Sequence, residues 1–331
     1  MQEQKKVRWG VLGPGKIARK FTEAASRVEN ATVTAVGSRN EGRAKEFAGY
    51  YKIPHFYGSY QALMQSDEVD AIYIATPHSA HHELTLACIE NKKAVLCEKA
   101  FAMNTKEVKE MVEAAKKAKV FLMEAMWTRF LPHFEHALEI VQSGTLGKVK
   151  SIQADFGFKA PEDPESRLYN LALGGGALMD VGLYPIFLVL SVLGKPSEII
   201  AKAAFADTGA DTQETIFFGY PEGVQAVTSS SIITDTSIIA QINLEKGRIE
   251  ICRPWYQPSS LKIYNNRFDY QYENYEVFGQ NGYEHEIKEA SADILANKVE
   301  NTKMTHANSL MLMECLDEVR AQIGLKYPNH D

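Results

Sequence analysis

Val7-Arg8-Trp9-Gly10-Val11-Leu12-Gly13-Pro14-Gly15-Lys16-Ile17-Ala18 runs from an apolar stretch through a glycine turn into a stretch of helical periodicity. Gly13 and Gly15 allow a tight turn and let the backbone approach a bound group. Ala18 is small where the new helix must press against the strand. The first amides of that helix would then face negative phosphates, with Lys16 and Ile17 at its opening. A glycine turn is common by itself, so its surroundings decide how it reads.

Outward from this turn, short apolar runs alternate with amphipathic ones. Val7–Leu12, Thr32–Val36, Ala71–Ala75, Ala94–Cys97 and Val120–Glu124 are strand candidates, several apolar at consecutive positions as expected of strands buried on both faces. Ile17–Ser26, Glu41–Tyr51, Ala80–Asn91 and Thr105–Ala118 have helical periodicity, and Asn104-Thr105 followed by Glu107 resembles a capped start. This alternation predicts a doubly wound α/β sheet. Beyond Met126, a helix over Pro132–Ser143 leads into strand-like stretches at Val149–Phe158, Ser197–Phe205, Thr215–Tyr220, Gly223–Ile233, Ser237–Leu244 and Gly247–Cys252. Helices over Ser291–Glu300 and Thr305–Ile323 close the chain. The expected organisation is a dinucleotide-binding domain over residues 1–125 and an α+β domain over 126–331.

The 331 residues are 45% hydrophobic and 24% charged with a net charge of −6, which excludes wholesale disorder. No Lys/Arg block suggests a nucleic-acid or membrane-surface protein. The N-terminus has no apolar signal region, and the apolar stretch Tyr184 to Leu193 is short for a bilayer span. Cys88, Cys97, Cys252 and Cys315 show no metal spacing and, in a reducing compartment, read as buried thiols. A cytoplasmic location is expected.

The second strand ends in Val36-Gly37-Ser38-Arg39-Asn40. An acid commonly stands there to bind ribose hydroxyls; Ser38 and Arg39 instead suit a 2′-phosphate, so NADP is expected over NAD, with dual use as the alternative. Glu98-Lys99 ends the strand at Ala94–Cys97, and Thr76-Pro77-His78 with His81 borders the same crevice, as a cofactor wall or a helix start. His78, His81 and His82 do not have a convincing metal pattern, and no metal is expected. Farther on stands Gly174-Gly175-Gly176-Ala177-Leu178-Met179-Asp180-Val181-Gly182-Leu183-Tyr184. If helical, it puts Asp180 and Tyr184 on one face. A phenol has a pKa near ~10, which a cation such as Lys99 would lower towards usable acid–base range.

In combination these motifs resemble the glucose–fructose oxidoreductase / inositol dehydrogenase / rhizopine-catabolism family. Glu124-Ala125-Met126-Trp127-Thr128-Arg129-Phe130 and Gly282-Tyr283-Glu284-His285-Glu286 are similar to its dimeric dihydrodiol dehydrogenase and D-xylose dehydrogenase branch. The resemblance implies a Rossmann domain followed by an open, mainly antiparallel sheet through which subunits often pair. It implies Lys99, Asp180 and Tyr184 as catalytic residues, with Glu98 beside the cofactor. Trp127 and Arg129 would lie near nicotinamide and substrate, and Trp255 in the substrate wall. The family usually reads Glu-Lys-Pro. Ala100 replaces that proline, which predicts a less constrained Lys99. The implied activity is NADP-linked oxidation or reduction of a sugar, polyol or trans-dihydrodiol by a homodimer or higher homo-oligomer. A self-recycling sugar oxidoreductase and a non-catalytic nucleotide-sensing regulator are the alternatives.

Overall fold

The computed structural model describes residues 5–265, 269–277 and 279–331. They form two compact units. One comprises the chain up to Trp127 together with Gly279–Leu310; the other runs from Thr128 to residue 278 and adds Met311–Asp331.

In the first unit, β1 (Val7–Leu12), α1 (Lys16–Ala25), β2 (Ala31–Gly37), α2 (Glu41–Tyr51), β3 (His55–Tyr57), α3 (Tyr60–Met64), β4 (Ala71–Ile74), α4 (His81–Glu90), β5 (Ala94–Glu98), α5 (Thr105–Ala118) and β6 (Leu122–Ala125) alternate along the chain. The strands form one parallel sheet in the order β3-β2-β1-β4-β5-β6. This is the doubly wound sheet expected, with its order reversing between β1 and β4. β4, β5 and β6 are buried at every position, which explains their continuous apolar runs. On α1, Ala18, Phe21, Thr22, Ala24 and Ala25 are buried, and Phe21 stacks on Tyr73 at 3.8 Å. Side-chain caps start three helices of this unit: Asn40 accepts from Arg43 N–H, Ser59 from Ala62 N–H, and Asn104 from Glu107 N–H.

The second unit holds α6 (Pro132–Ser143), β7 (Val149–Gly157), α7 (Leu183–Leu193), β8 (Glu198–Phe205), β9 (Asp211–Gly219), β10 (Gln225–Ser231), β11 (Ala240–Leu244), β12 (Gly247–Ile251), β13 (Ser260–Tyr264) and β14 (Tyr270–Asn274). Its sheet has the order β14-β13-β12-β11-β7-β10-β9-β8. Among the described residues only the β7/β10 pair is parallel, so the sheet is mainly antiparallel as expected. α7 packs against β7 and β10. The apolar run around it, Leu171–Leu193, is longer than the ten residues counted from sequence and has a membrane-like mean hydropathy of 1.9. Its most apolar window is nevertheless 83% buried inside the protein, as in a core helix.

The helix expected over Ser291–Glu300 is instead α8, Tyr283–Leu295. It stops because Asn297 takes a left-handed conformation and Lys298 N–H turns back to Asp293 O. α8 lies against α1 and β1, and Trp9 Nε1–H donates to Ser291 Oγ across 3.1 Å. Gly279–Leu310 therefore folds with the first unit, although it stands far beyond residue 125 in sequence. α9 (His306–Ile323) closes the chain within the expected span. Strands β3, β13 and β14 carried no sequence expectation.

Candidate active site

In the first unit the site is built at the carboxyl ends of β1, β2, β4 and β5. Gly13 has φ +87°, and a Cβ there would lie 3.0 Å from Ala75 O and 3.2 Å from Thr76 Cγ2. Only glycine lets the turn after β1 lie this close to the end of β4. Gly13 N–H donates to Gly37 O, and Ala75 N–H donates to Leu12 O, so Ser38, Thr76 and the glycine turn are held together. On the opposite side the turn is open: a Cβ on Gly15 would find nothing nearer than Gly13 O at 4.0 Å. α1 begins at Lys16 without a side-chain cap, leaving its first amides to a ligand. Thr76 Oγ1 is buried with no hydrogen-bond partner among the described residues. These features fit a dinucleotide.

Around that turn, Ser38 is buried and its hydroxyl accepts from Asn40 N–H, whereas Arg39 and Lys16 are exposed. Ile17 and Pro77 are half-buried. His81 is fully buried. Its Nδ1 lies 2.8 Å from Ala100 O and its Nε2 lies 2.9 Å from Thr76 O, so both ring nitrogens face backbone carbonyls and the neutral ring donates to one of them. Burial holds its pKa below the ordinary value. It clamps the Thr76 loop to the loop after Lys99.

Glu98 also turns inward. Its carboxylate accepts from Lys99 N–H at 3.2 Å and from the Tyr73 hydroxyl. Burial, and then the Glu98 charge, pushes Tyr73 well up, so it remains a donor. Lys99 itself is half-buried at the end of β5. The Lys99–Ala100 peptide is cis. Replacement of proline by Ala100 does not leave this loop loose: Ala100 O meets His81, and Phe101 N–H donates to Glu124 at 3.2 Å. Trp127 is buried and stacks on Tyr283 at 4.5 Å with 19° between the rings. Tyr283 comes from the return segment. Glu286, one helical turn on, is completely buried, and burial followed by the Glu98 charge raises its pKa well above the usual carboxylate range.

In the second unit, Leu178–Gly182 forms a π-turn rather than the α-helix assumed for the Asp180/Tyr184 spacing, and Leu183 N–H reaches back five residues to Leu178 O. Such turns recur at functional sites. Asp180 is buried there, and Arg167 donates to both of its oxygens, at 3.0 and 3.1 Å. Tyr184 lies in the first turn of α7 in an aromatic cluster, 5.5 Å from Phe156 and 5.4 Å from Tyr256, which itself stacks on Phe156 at 3.9 Å. Burial and the Asp180 charge raise the Tyr256 pKa. Arg129 pairs with Glu135 at 3.6 Å. Trp255 is fully buried, with Nε1–H donating to Asp155 O and its own carbonyl meeting His133 Nε2. Its neighbour Tyr256 is the aromatic that reaches Tyr184.

A family model described as an oxidoreductase family with an NAD-binding Rossmann fold matches residues 7–126, and the GFO/IDH/MocA C-terminal domain model matches residues 134–250. Trans-1,2-dihydrobenzene-1,2-diol dehydrogenase of Danio rerio is 35% identical over 97% of this chain and 98% of its own length. The protein of the same name from Mus musculus is 34% identical over 97% and 98%. The chain belongs to the GFO/IDH/MocA oxidoreductase family. An aldose–aldose oxidoreductase from Caulobacter crescentus shares the fold at TM-score 0.87, with 24% identity over 96% of this chain and 97% of its own. A 3-ketoreductase from Actinomadura kijaniata, solved with NADP and TDP-benzene, does so at TM-score 0.86, with 23% identity over 96% and 98%.

Within this GFO/IDH/MocA frame, the sequence did not single out Arg167 and Tyr256, the neighbours of Asp180 and Tyr184 in the second unit, or Glu286, whose pKa the Glu98 charge raises in the first. Arg167 and Tyr256 stand on loops with no motif of their own. Glu286 carried one signal, an acid at the end of the quoted tail Gly282–Glu286.

Proposed function

We propose that the chain is an NADP-linked dehydrogenase that interconverts a hydroxyl and a carbonyl on a sugar, polyol or trans-dihydrodiol. The observation that carries the cofactor preference is the end of β2. Ser38-Arg39-Asn40 offers a hydroxyl and an exposed guanidinium where an NAD site commonly has a carboxylate. The dihydrodiol dehydrogenase relatives favour the substrate class, and the protein is read as cytoplasmic.

A bound nicotinamide supplies or accepts the hydride. Gly13, Gly15, Lys16 and Ile17 open the helix whose first amides would hold the pyrophosphate. Arg39 would hold a 2′-phosphate through its guanidinium, with the Ser38 hydroxyl nearby. Thr76 and Pro77 line the cofactor, with His81 holding the Thr76 backbone and Glu98 anchoring the Lys99 amide. Trp127 and Arg129 flank the reacting groups. The Tyr184 phenol takes the substrate hydroxyl proton during oxidation and returns it during reduction. Lys99 contributes positive charge that favours the deprotonated oxygen, and Asp180 orients a substrate hydroxyl while Arg167 fixes its carboxylate. Acid–base help of this kind is worth ~10²–10⁴-fold.

The homo-oligomer is read as a dimer through the exposed face of the eight-stranded sheet. Ile200 and Val227 project from that face and flank Phe217 in register. Tyr184→Phe tests the chemical assignment. Turnover falls by ~10²-fold or more while NADP affinity is unchanged; undiminished turnover removes Tyr184 from the mechanism.

A further inference from the structure

The turn that carries Asp180 rests on two acidic side chains from another part of the second unit. Asp211 and Glu214, both on β9, are almost completely buried. Leu178 N–H donates to Asp211 Oδ2 across 2.6 Å. A Cβ on Gly176, which has φ +124°, would stand 1.9 Å from Asp211 Oδ1. One on Gly182 would stand 2.2 Å from Glu214 Oε1 and 3.0 Å from Ser230 Oγ. The missing side chains at both ends of the turn are therefore replaced by these two carboxyl groups. From the C-terminal segment, Tyr327 donates through its hydroxyl to Gly175 O at 2.9 Å.

We propose that Asp211 and Glu214 are positioning residues that fill the spaces left by Gly176 and Gly182 and so fix the turn bearing Asp180 and Tyr184. The proposal rests on the reading of Tyr184 as the proton-transfer group. It gives Gly176 and Gly182 of the second motif a specific reason: any larger residue at either position would strike a buried carboxyl.

The electrostatics agree. Two ionised carboxylates side by side in a buried site repel, so one proton is retained between them. Burial pushes Asp211 up to about 6, and the Leu178 amide opposes that shift. Burial and then the Asp211 charge raise Glu214 well above the carboxylate range, so Glu214 is the group that stays protonated. The neighbouring groups are Ser230 on β10, Tyr327, and the buried Arg320 on α9, which pairs with Asp317 and Asp331.

The test uses the full chain with three substitutions: Glu214→Ala, Asp211→Asn and Glu214→Gln. Turnover, cofactor KM and hydrogen exchange of the segment 174–184 are measured for each. Glu214→Ala is expected to lower kcat by roughly 10²-fold, the cost of a misplacement near 1 Å, with cofactor KM unchanged and faster exchange at 174–184. Glu214→Gln, which keeps the shape and neutrality of a protonated Glu, restores most of kcat and the slow exchange. Asp211→Asn keeps the size but puts an NH2 donor where one carboxylate oxygen stood, so the side chain no longer accepts through both oxygens between Leu178 N–H and the Gly176 backbone. It supplies an independent variant if Glu214→Ala does not fold, and it lowers kcat and speeds exchange in the same direction. Unchanged kcat and exchange in folded Glu214→Ala or Asp211→Asn overturn the proposal. So does faster exchange with full kcat, in a protein whose Tyr184→Phe variant has lost turnover. If Tyr184→Phe itself is silent, the catalytic reading of Tyr184 fails, and the exchange data separately report whether the acids seat the turn.

Discussion

Gly13, Arg39 and Glu124 show how single side chains, or the lack of one, shape this molecule. At Gly13 a left-handed backbone and a close carbonyl coincide, so Gly13→Ala costs about 1–2 kcal/mol in backbone conformation alone. It is expected to lower the midpoint of urea unfolding as well as NADP affinity. Arg39→Ala removes a charge-assisted contact worth roughly 1.5–3 kcal/mol. The NADP⁺ KM should rise about 10–100-fold with the NAD⁺ KM little changed, as initial rates with each cofactor will report. Some of the site is plain at this scale from sequence: the glycine turn, Ser38-Arg39 and Lys99 sit in local motifs whose chemistry is carried by neighbouring residues. The Arg167–Asp180 pair is not, because a loop arginine and a buried acid thirteen positions away meet only after folding.

At the scale of elements, β1, α2, α5 and α6 have the bounds that the sequence alone predicts. Their signals are local: a period of apolar residues, an Asn at the N-cap, a proline in the first turn. β14 presents mainly exposed polar and tyrosine side chains, so no alternation marks it; pairing with β13 makes it a strand. α8 is similarly obscured by Glu284, His285 and Glu286, whose burial depends on packing against β1 and α1. β6 supplies the pH dependence. Burial is the main reason that Glu124 is pushed up to about 7. A carboxyl raised on folding stabilises fully below its unfolded pKa near ~4.5, and that contribution disappears as pH rises through about 7. Glu124→Gln should therefore flatten the decline in unfolding free energy between pH 5 and pH 8, measured by urea titration at each pH. An unchanged slope would assign the decline to other groups.

For the whole molecule, the parallel sheet was readable from the alternation of the first third, and the mainly antiparallel sheet from the turn-rich stretches after it. The return of Gly279–Leu310 to the first unit was not, since nothing local distinguishes a helix that packs on β1 from one that packs elsewhere. The open face of the second sheet leads to a prediction at this scale. Light scattering on the eluting protein should give twice the chain mass, and Val227→Lys with Ile200→Lys should halve it while leaving the circular dichroism spectrum intact.

The most direct test of the account is nicotinamide absorbance during incubation with a trans-dihydrodiol, D-xylose, D-glucose or myo-inositol, run with NADP⁺ and separately with NAD⁺. The account predicts reduction of NADP⁺ on at least one of these substrates, faster than with NAD⁺. Reduction of NAD⁺ alone would contradict the role assigned to Ser38 and Arg39, and no reduction of either cofactor, with no oxidation of NADPH by the corresponding carbonyl compounds, would contradict the dehydrogenase itself.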